Sequence, residues 1–311
     1  MQVEDFLSFQ LFYSEFLRSP LTFSKILFTD GSIKYMPFVK RLDAYISLPF
    51  VSYTGVLDRV SNRFLRGPDF VEQNGNLICE DPKIIWEIRG FRSYSNHILD
   101  AKVLQVINLK KNKECKSFQI GQHTKRKIKK AQQKQQYVYM LNNGRCDVFI
   151  DLYQRFCLKK GIPSFSRNFF QLLIDFFPSR VSIFIVEKNG EPIASAWLFK
   201  DKRYAEVTWI CGVDGYKTHY SHFLLIYEIM QYCKNESIDF LSLGRSDYNS
   251  GIYGFKNLWK TVNIPLIFSY SKPCVNVWNL KESCSWVMKN TAKVSPTLTL
   301  KMGDFITKKV F

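Results

Sequence analysis

The sequence predicts an α+β protein in which mixed sheets carry flanking helices, and three observations point that way. Between residues 181 and 243 the hydrophobic pattern reads strand, strand, strand, helix, strand, an order that builds a mixed sheet with one crossover. Near the N-terminus, Asp30-Gly31 separates two strand-like runs, which is a hairpin signal. Hydrophobic residues make up 46% of the 311 positions and charged residues 23%, enough for a sizeable core and unlike a disordered chain. At ~150 residues per domain, this length suggests two medium domains or one large one.

In chain order, a short helix is expected over 6–17, the hairpin strands over 23–28 and 35–40, and an extended run over 46–57 broken by Pro49 and Gly55. Residues 61–82 are richer in Gly, Pro, Asn and Asp and read mainly as loop. Strands resume over 84–89 and 102–109, and a basic helix follows over 120–136. The next helix, 146–160, carries Val148, Ile150, Leu152, Phe156 and Leu158 and stops at Gly161-Ile162-Pro163. A third helix over 167–177 closes at Pro178. Strand 182–187, a turn containing Asn189-Gly190, the return strand 193–199 and a strand over 204–211 form a meander. Helix 221–235 is apolar over most of its circumference, so it is expected to be buried. Strand 240–243 ends at Gly244-Arg245-Ser246. These elements suggest one half over 1–115, a second over 116–272 that includes the basic linking helix, and a basic tail over 273–311.

There are 44 Lys and Arg against 27 Asp and Glu, a formal charge of +17. Such a field favours an anionic partner: nucleic acid, an acidic membrane face or a phosphorylated substrate. The 8 cysteines include no C-x-x-C pair, and the 4 histidines do not cluster at ligand spacing, so no metal site is expected. The cysteines read as small core residues in a reducing compartment. Glu4, Asp5 and Glu15 argue against a signal peptide, and no run approaches the ~20 apolar residues that span a bilayer. The expected location is the cytoplasm, with peripheral contact at the inner membrane face as a further option.

Several residues could carry chemistry. Arg245 leaves the C-terminal end of a strand, where ligand crevices form, and its guanidinium there either grips a phosphate or carboxylate or pairs with Asp247. Ser246, Ser250 and Gly251 either admit a ligand close to the backbone or form an ordinary turn. The start of helix 221–235 offers backbone N–H groups to an anion, with Lys217, His219 and Ser221 beside it. Lys125, Arg126, Lys127, Lys129, Lys130 and Lys134 make a one-sided positive helix, either a solvated face or a phosphate contact. The tail mixes Lys281, Lys289, Lys293, Lys301, Lys308 and Lys309 with Trp278, Trp286 and Phe305, and either rests on a membrane surface or caps the domain core.

The segment from Leu243-Gly244-Arg245-Ser246 through Ser250-Gly251-Ile252-Tyr253 to Phe255-Lys256 and Trp259 resembles the closing motif of FemAB-type acyltransferases, relatives of the GNAT N-acetyltransferases built from two GNAT-like halves. Leu48-Pro49-Phe50-Val51-Ser52-Tyr53-Thr54-Gly55, the basic stretch 125–131, and Gly161-Ile162-Pro163 followed by Phe169-Phe170 are similar to further parts of that pattern. The resemblance runs over about 30–270 and is nearest to the compact relatives associated with exopolysaccharide export. It departs at Asp214-Gly215-Tyr216-Lys217-Thr218-His219-Tyr220-Ser221, where GNAT enzymes carry a glycine-rich pyrophosphate loop, and it lacks the coiled-coil arm of the relatives that use aminoacyl-tRNA.

The resemblance implies two tandem GNAT-like halves of the acyl-CoA N-acyltransferase fold, with a site between them. It implies an acyltransferase moving an acyl group from acyl-CoA, as donor co-substrate, to an amine on a cell-envelope or polysaccharide precursor by direct attack. Lys256 is then either a group that holds an oxyanion or phosphate or a surface lysine whose neighbour Phe255 is core. Glu206, which shares a strand face with Thr208, is either a general base or a solvent-facing residue; Tyr253 protonates a leaving group or packs. Tyr53 joins the expected substrate- or donor-binding set. An anionic small molecule or lipid-linked glycan is the expected substrate. Two other readings stay open: an aminoacyl-tRNA-dependent transferase building peptidoglycan bridges, with tRNA as partner, and a non-catalytic basic scaffold on an anionic polymer or membrane.

Overall fold

The computed structural model describes residues 3–18, 21–28, 33–41, 44–47, 55–58, 63–66, 75–78, 85–90, 97–110, 118–141, 146–213, 219–271 and 277–309. The chain forms two compact units. One comprises 1–104, 264–279 and 306–311, the other 105–263 and 280–305, so neither is a single run of sequence.

The first unit opens with α1 (Val3–Leu17), whose Phe12, Tyr13 and Phe16 are buried. Strands β1 (Leu21–Phe28) and β2 (Ile33–Arg41) form the expected hairpin, running from Leu21 opposite Val39 to Leu27 opposite Ile33. Strands β3 (Ala44–Ile46), β4 (Gly55–Asp58), β5 (Arg63–Arg66), β6 (Gly75–Ile78) and β7 (Ile85–Gly90) complete its sheet with β14 (Val262–Tyr270). Within 61–82, expected to be mainly loop, the described residues are strands, β5 pairing with β4 and β6 with β1. Four-residue strands take their order from the neighbour they pair with, so composition alone under-reads them. Strand β8 (His97–Asn108) runs from the first unit into the second.

The second unit carries the chemistry-bearing residues. Helix α2 (Gln122–Gln133) leads into β9 (Gln136–Leu141), then α3 (Asp147–Lys160) and α4 (Arg167–Phe176). Strands β10 (Val181–Lys188), β11 (Glu191–Asp201) and β12 (Tyr204–Gly212) follow, then α5 (Ser221–Asn235), β13 (Phe240–Asp247) and α6 (Gly251–Asn257). Strands β9 to β12 pair antiparallel in sequence order, and β13 returns through α5 to lie parallel to β12. The basic helix ends three residues earlier than expected. Gln135 at φ 53° reverses the chain, and β9 then pairs with β10 from Gln136 opposite Lys188 to Leu141 opposite Ile183.

The two-residue period of β11 separates two cores. Trp197 packs with Phe149 and Phe170 of α3 and α4, at ring centroids 5.2 Å apart in each case, and Trp209 of β12 joins them 5.3 Å from Phe170. Ala194, Ala196 and Leu198 instead join the cluster formed by Phe223, Leu224, Ile226 and Met230 of α5. Small residues there let α5 approach the sheet. On α2, the buried positions Thr124, Ile128 and Ala131 recur at helical spacing, which leaves its basic residues on the other side.

Two further helices close the chain: α7 (Val277–Val294) and α8 (Pro296–Lys309). Among the described residues, no helix is long and apolar enough to cross a membrane.

Candidate active site

Strands β12 and β13 pair only from Tyr204 opposite Phe240 to Glu206 opposite Ser242, although β12 runs on to Gly212 and β13 to Asp247. Two local features coincide with the parting. Gly244 adopts φ 75°, a conformation that costs L side chains, and its N–H donates to Ser242 Oγ at 3.0 Å. The β11–β12 register shifts between Trp197 and Leu198, giving β12 one extra residue at Thr208. The result is a wedge at the C-terminal ends of two parallel strands, beside their crossover helix, where α/β sheets bind ligands.

Lys256 projects into this wedge from α6. Its Nζ donates to the carbonyls of Gly244 at 3.1 Å and Arg245 at 2.9 Å, and the side chain is buried. Burial pushes its ammonium down from 10.5 to about 8; the Glu206 carboxylate opposes that shift and Arg245 adds to it. A Cβ on residue 244 would stand 3.9 Å from this Nζ and 3.6 Å from the Val207 carbonyl, ordinary contact distances, so it is the backbone conformation and not lack of space that calls for glycine there.

Helix α6 is held on three sides. Ser250 caps its start, accepting from the Tyr253 N–H at 3.1 Å. Phe255 meets the Phe223 ring edge-on at 5.2 Å, and Thr124 of α2 donates to the Leu258 carbonyl. Gln105, fully buried at the end of β8, donates through Nε2 to the Tyr253 carbonyl at 3.2 Å and to Asn257 Oδ1 at 3.0 Å. Sequence reasoning missed Gln105, since a lone glutamine in a strand carries no local signal.

The other expected residues divide. Glu206 is buried, and its carboxylate accepts from the Tyr204 hydroxyl at 2.9 Å. The solvent-facing option for it is thereby corrected: alternation along a strand looks the same whether a face meets water or another layer. Ser246 is buried beside the wedge, and its hydroxyl has no hydrogen-bond partner. Arg245 is exposed, as is Gly251. Tyr253 accepts from Asn263 Nδ2 at 3.1 Å, which leaves its own proton for another acceptor. Tyr53 and Lys217 lie outside the described residues.

A second cluster sits at the start of α5. Tyr220 precedes the helix at φ 58°, and no side chain caps it. Lys127 and Lys130 of α2 and Lys134 just past its end stand 5.8, 5.9 and 5.6 Å from the Tyr220 ring centre, and Lys127 is 4.6 Å from that of Phe223. The Ser221 hydroxyl is spent on Gln136 Oε1 at 2.7 Å, while Gln136 Nε2 donates to the His219 carbonyl at 2.6 Å. His219 titrates below its ordinary value, through burial first and then Lys188 and Lys134. The basic run on α2 therefore gathers cations around an uncapped helix start, which suits an anion.

Residues 121–257, which contain the wedge, Lys256 and the α5 start, match the family model described as an acetyltransferase (GNAT) domain. No curated protein sequence matches the chain.

Solved structures share the fold over most of its length. The C-terminal DUF2156 domain of a protein described as a lysylphosphatidylglycerol synthetase, from Agrobacterium fabrum, is 12% identical; the match covers 93% of this chain and 94% of that one at a TM-score of 0.54. L-PGS from Bacillus licheniformis is also 12% identical, covering 96% and 98% at 0.54. FemX is 10% identical, covering 89% and 93% at 0.54.

Proposed function

We propose that this protein is an N-acyltransferase that moves an acyl group onto an amine of an anionic cell-envelope or polysaccharide precursor by direct attack, with acyl-CoA as donor. The observation that carries the reading is the buried Lys256 ammonium, set in the wedge where β12 and β13 part. The residues present fit such a donor. The uncapped start of α5, ringed by Lys127, Lys130 and Lys134, would hold its phosphates, and the wedge would receive its extended arm. A bound thioester supplies an activated carbonyl carbon to the attacking amine.

The chain's own groups then act on charge and protons. Lys256 places positive charge where negative charge develops on the carbonyl oxygen, in a site where burial strengthens the interaction. The Glu206 carboxylate takes the proton that the amine sheds. Tyr253, whose oxygen already accepts from Asn263, donates its proton to the leaving group. Arg245, Ser246, Ser250 and Gly251 border the same segment and bind the acceptor's anionic part.

The test is turnover of acetyl-CoA and longer acyl-CoA thioesters against a panel of amino sugars and nucleotide-linked amino sugars. Lys256→Met should abolish transfer without loss of fold, and full turnover by that variant would refute the assignment. A second reading, transfer of an aminoacyl group from tRNA, is favoured by the basic α2, whose 12 residues include no acid. The fold shared with FemX and L-PGS fits it as well. Activity that needs charged tRNA and is destroyed by ribonuclease would select this reading over the first.

A further inference from the structure

Five of the ten large apolar side chains that are exposed among the described residues lie in the last two helices: Trp286, Val287, Val294, Leu298 and Phe305. Their placement follows from how these helices pack. On α7, Met288 is buried while Trp286 is 70% exposed. At 3.6 residues per turn, Trp286, Lys293 and Val294 lie on the side opposite Met288, with Val287 and Lys289 at its edges and the Lys289 stem against Gly161. On α8, Thr299 and Gly303 face inward, and a Cβ on residue 303 would stand 2.7 Å from the Ser164 backbone nitrogen. Leu298, Lys301 and Phe305, at i, i+3 and i+7, then line the outer side, with Phe305 63% exposed.

One side of each helix caps the second unit, and the other presents large apolar groups interleaved with lysines. Glu282, at a helical position between those of Lys289 and Lys293, is the single acid on the outer side of α7, and Leu298, Lys301 and Phe305 of α8 have none among them. That composition is what a helix lying in the headgroup region of an anionic bilayer carries: an aromatic to insert, and ammonium groups long enough to reach lipid phosphate. A second copy of the chain fits less well, since the stripe would bring lysines against lysines.

We infer that the outer faces of α7 and α8 dock the protein on an anionic lipid surface, Trp286 and Phe305 inserting and Lys289, Lys293 and Lys301 pairing with lipid phosphates. The inference is independent of the acyl-transfer reading, because it requires neither donor nor turnover.

Flotation of the full chain with vesicles of phosphatidylcholine containing 30% phosphatidylglycerol, or of phosphatidylcholine alone, tests it. Binding to the anionic vesicles is expected, weakened at high salt. Trp286→Ser with Phe305→Ser should lower it at least tenfold at every salt concentration. Lys289→Gln, Lys293→Gln and Lys301→Gln together should remove the preference for phosphatidylglycerol. All variants should unfold at the wild-type temperature, since the altered side chains are exposed. A Lys125→Gln, Lys129→Gln variant controls for the basic helix α2 and should float like the wild type. Loss of binding in that control with retention in the tail variants would overturn the inference, as would absence of binding by the wild type. A concentration-dependent dimer that Trp286→Ser and Phe305→Ser dissolve, without vesicle binding, would assign the face to a second copy instead.

Discussion

Burying the Lys256 ammonium has a measurable thermodynamic consequence. Its folded-state value near 8 lies below the ordinary 10.5, so between those values the unfolded chain binds a proton that the folded chain has lost. Stability must then rise with pH across that window. At ~1.4 kcal/mol per pH unit, the full difference is about 3 kcal/mol, all of it a penalty borne at neutral pH. Lys256→Met cannot titrate. Urea unfolding of both proteins at intervals from pH 7 to 10.5 isolates the effect, because the other ionisable groups cancel in the difference. The wild-type stability minus that of Lys256→Met should climb by about 3 kcal/mol over this range, most steeply between pH 8 and 10. A flat or falling difference would refute the burial argument, and with it the strengthened charge assigned to the site. If the ammonium is the working form, transfer by the wild type should also decline as pH passes 8.

Three further outcomes are expected. Gly244→Ala forces an L side chain into φ 75°, costing about 1–2 kcal/mol in urea unfolding, and it displaces the carbonyls that Lys256 grips, so kcat falls as well. Ser250→Ala removes the cap on α6 and should cost about 1 kcal/mol, with Ser250→Asp restoring most of it. Lys127→Gln with Lys130→Gln should raise KM for an anionic donor severalfold and flatten its salt dependence while leaving kcat nearly unchanged, as initial rates at several ionic strengths would show.

Much of the second unit was legible from local pattern. The turn at Asn189-Gly190, the apolar circumference of α5, and the stop at Gly161, which adopts φ 64°, are encoded within a few residues of where they act. The segment from Gly244 to Lys256 was likewise legible as a motif, and it does converge on the wedge. Less was legible where structure depends on a distant neighbour. Strands β5 and β6 sit in a stretch of loop-like composition because β4 and β1 pair with them. The outward and inward sides of α7 and α8 were indistinguishable until Ser164 was found against Gly303.

By itself, then, the sequence determined the α+β order, the strong positive charge and the short motif that carries Lys256, since periodicity, composition and spacing are properties of the chain alone. Only the tertiary structure decided what that lysine is. Whether an ε-amino group is a solvated surface charge or a desolvated cation near Glu206 depends on which backbone carbonyls and side chains surround it. Those neighbours come from β12, β13 and α6, with Gln105 holding α6 from more than a hundred residues upstream, and no local pattern records their meeting.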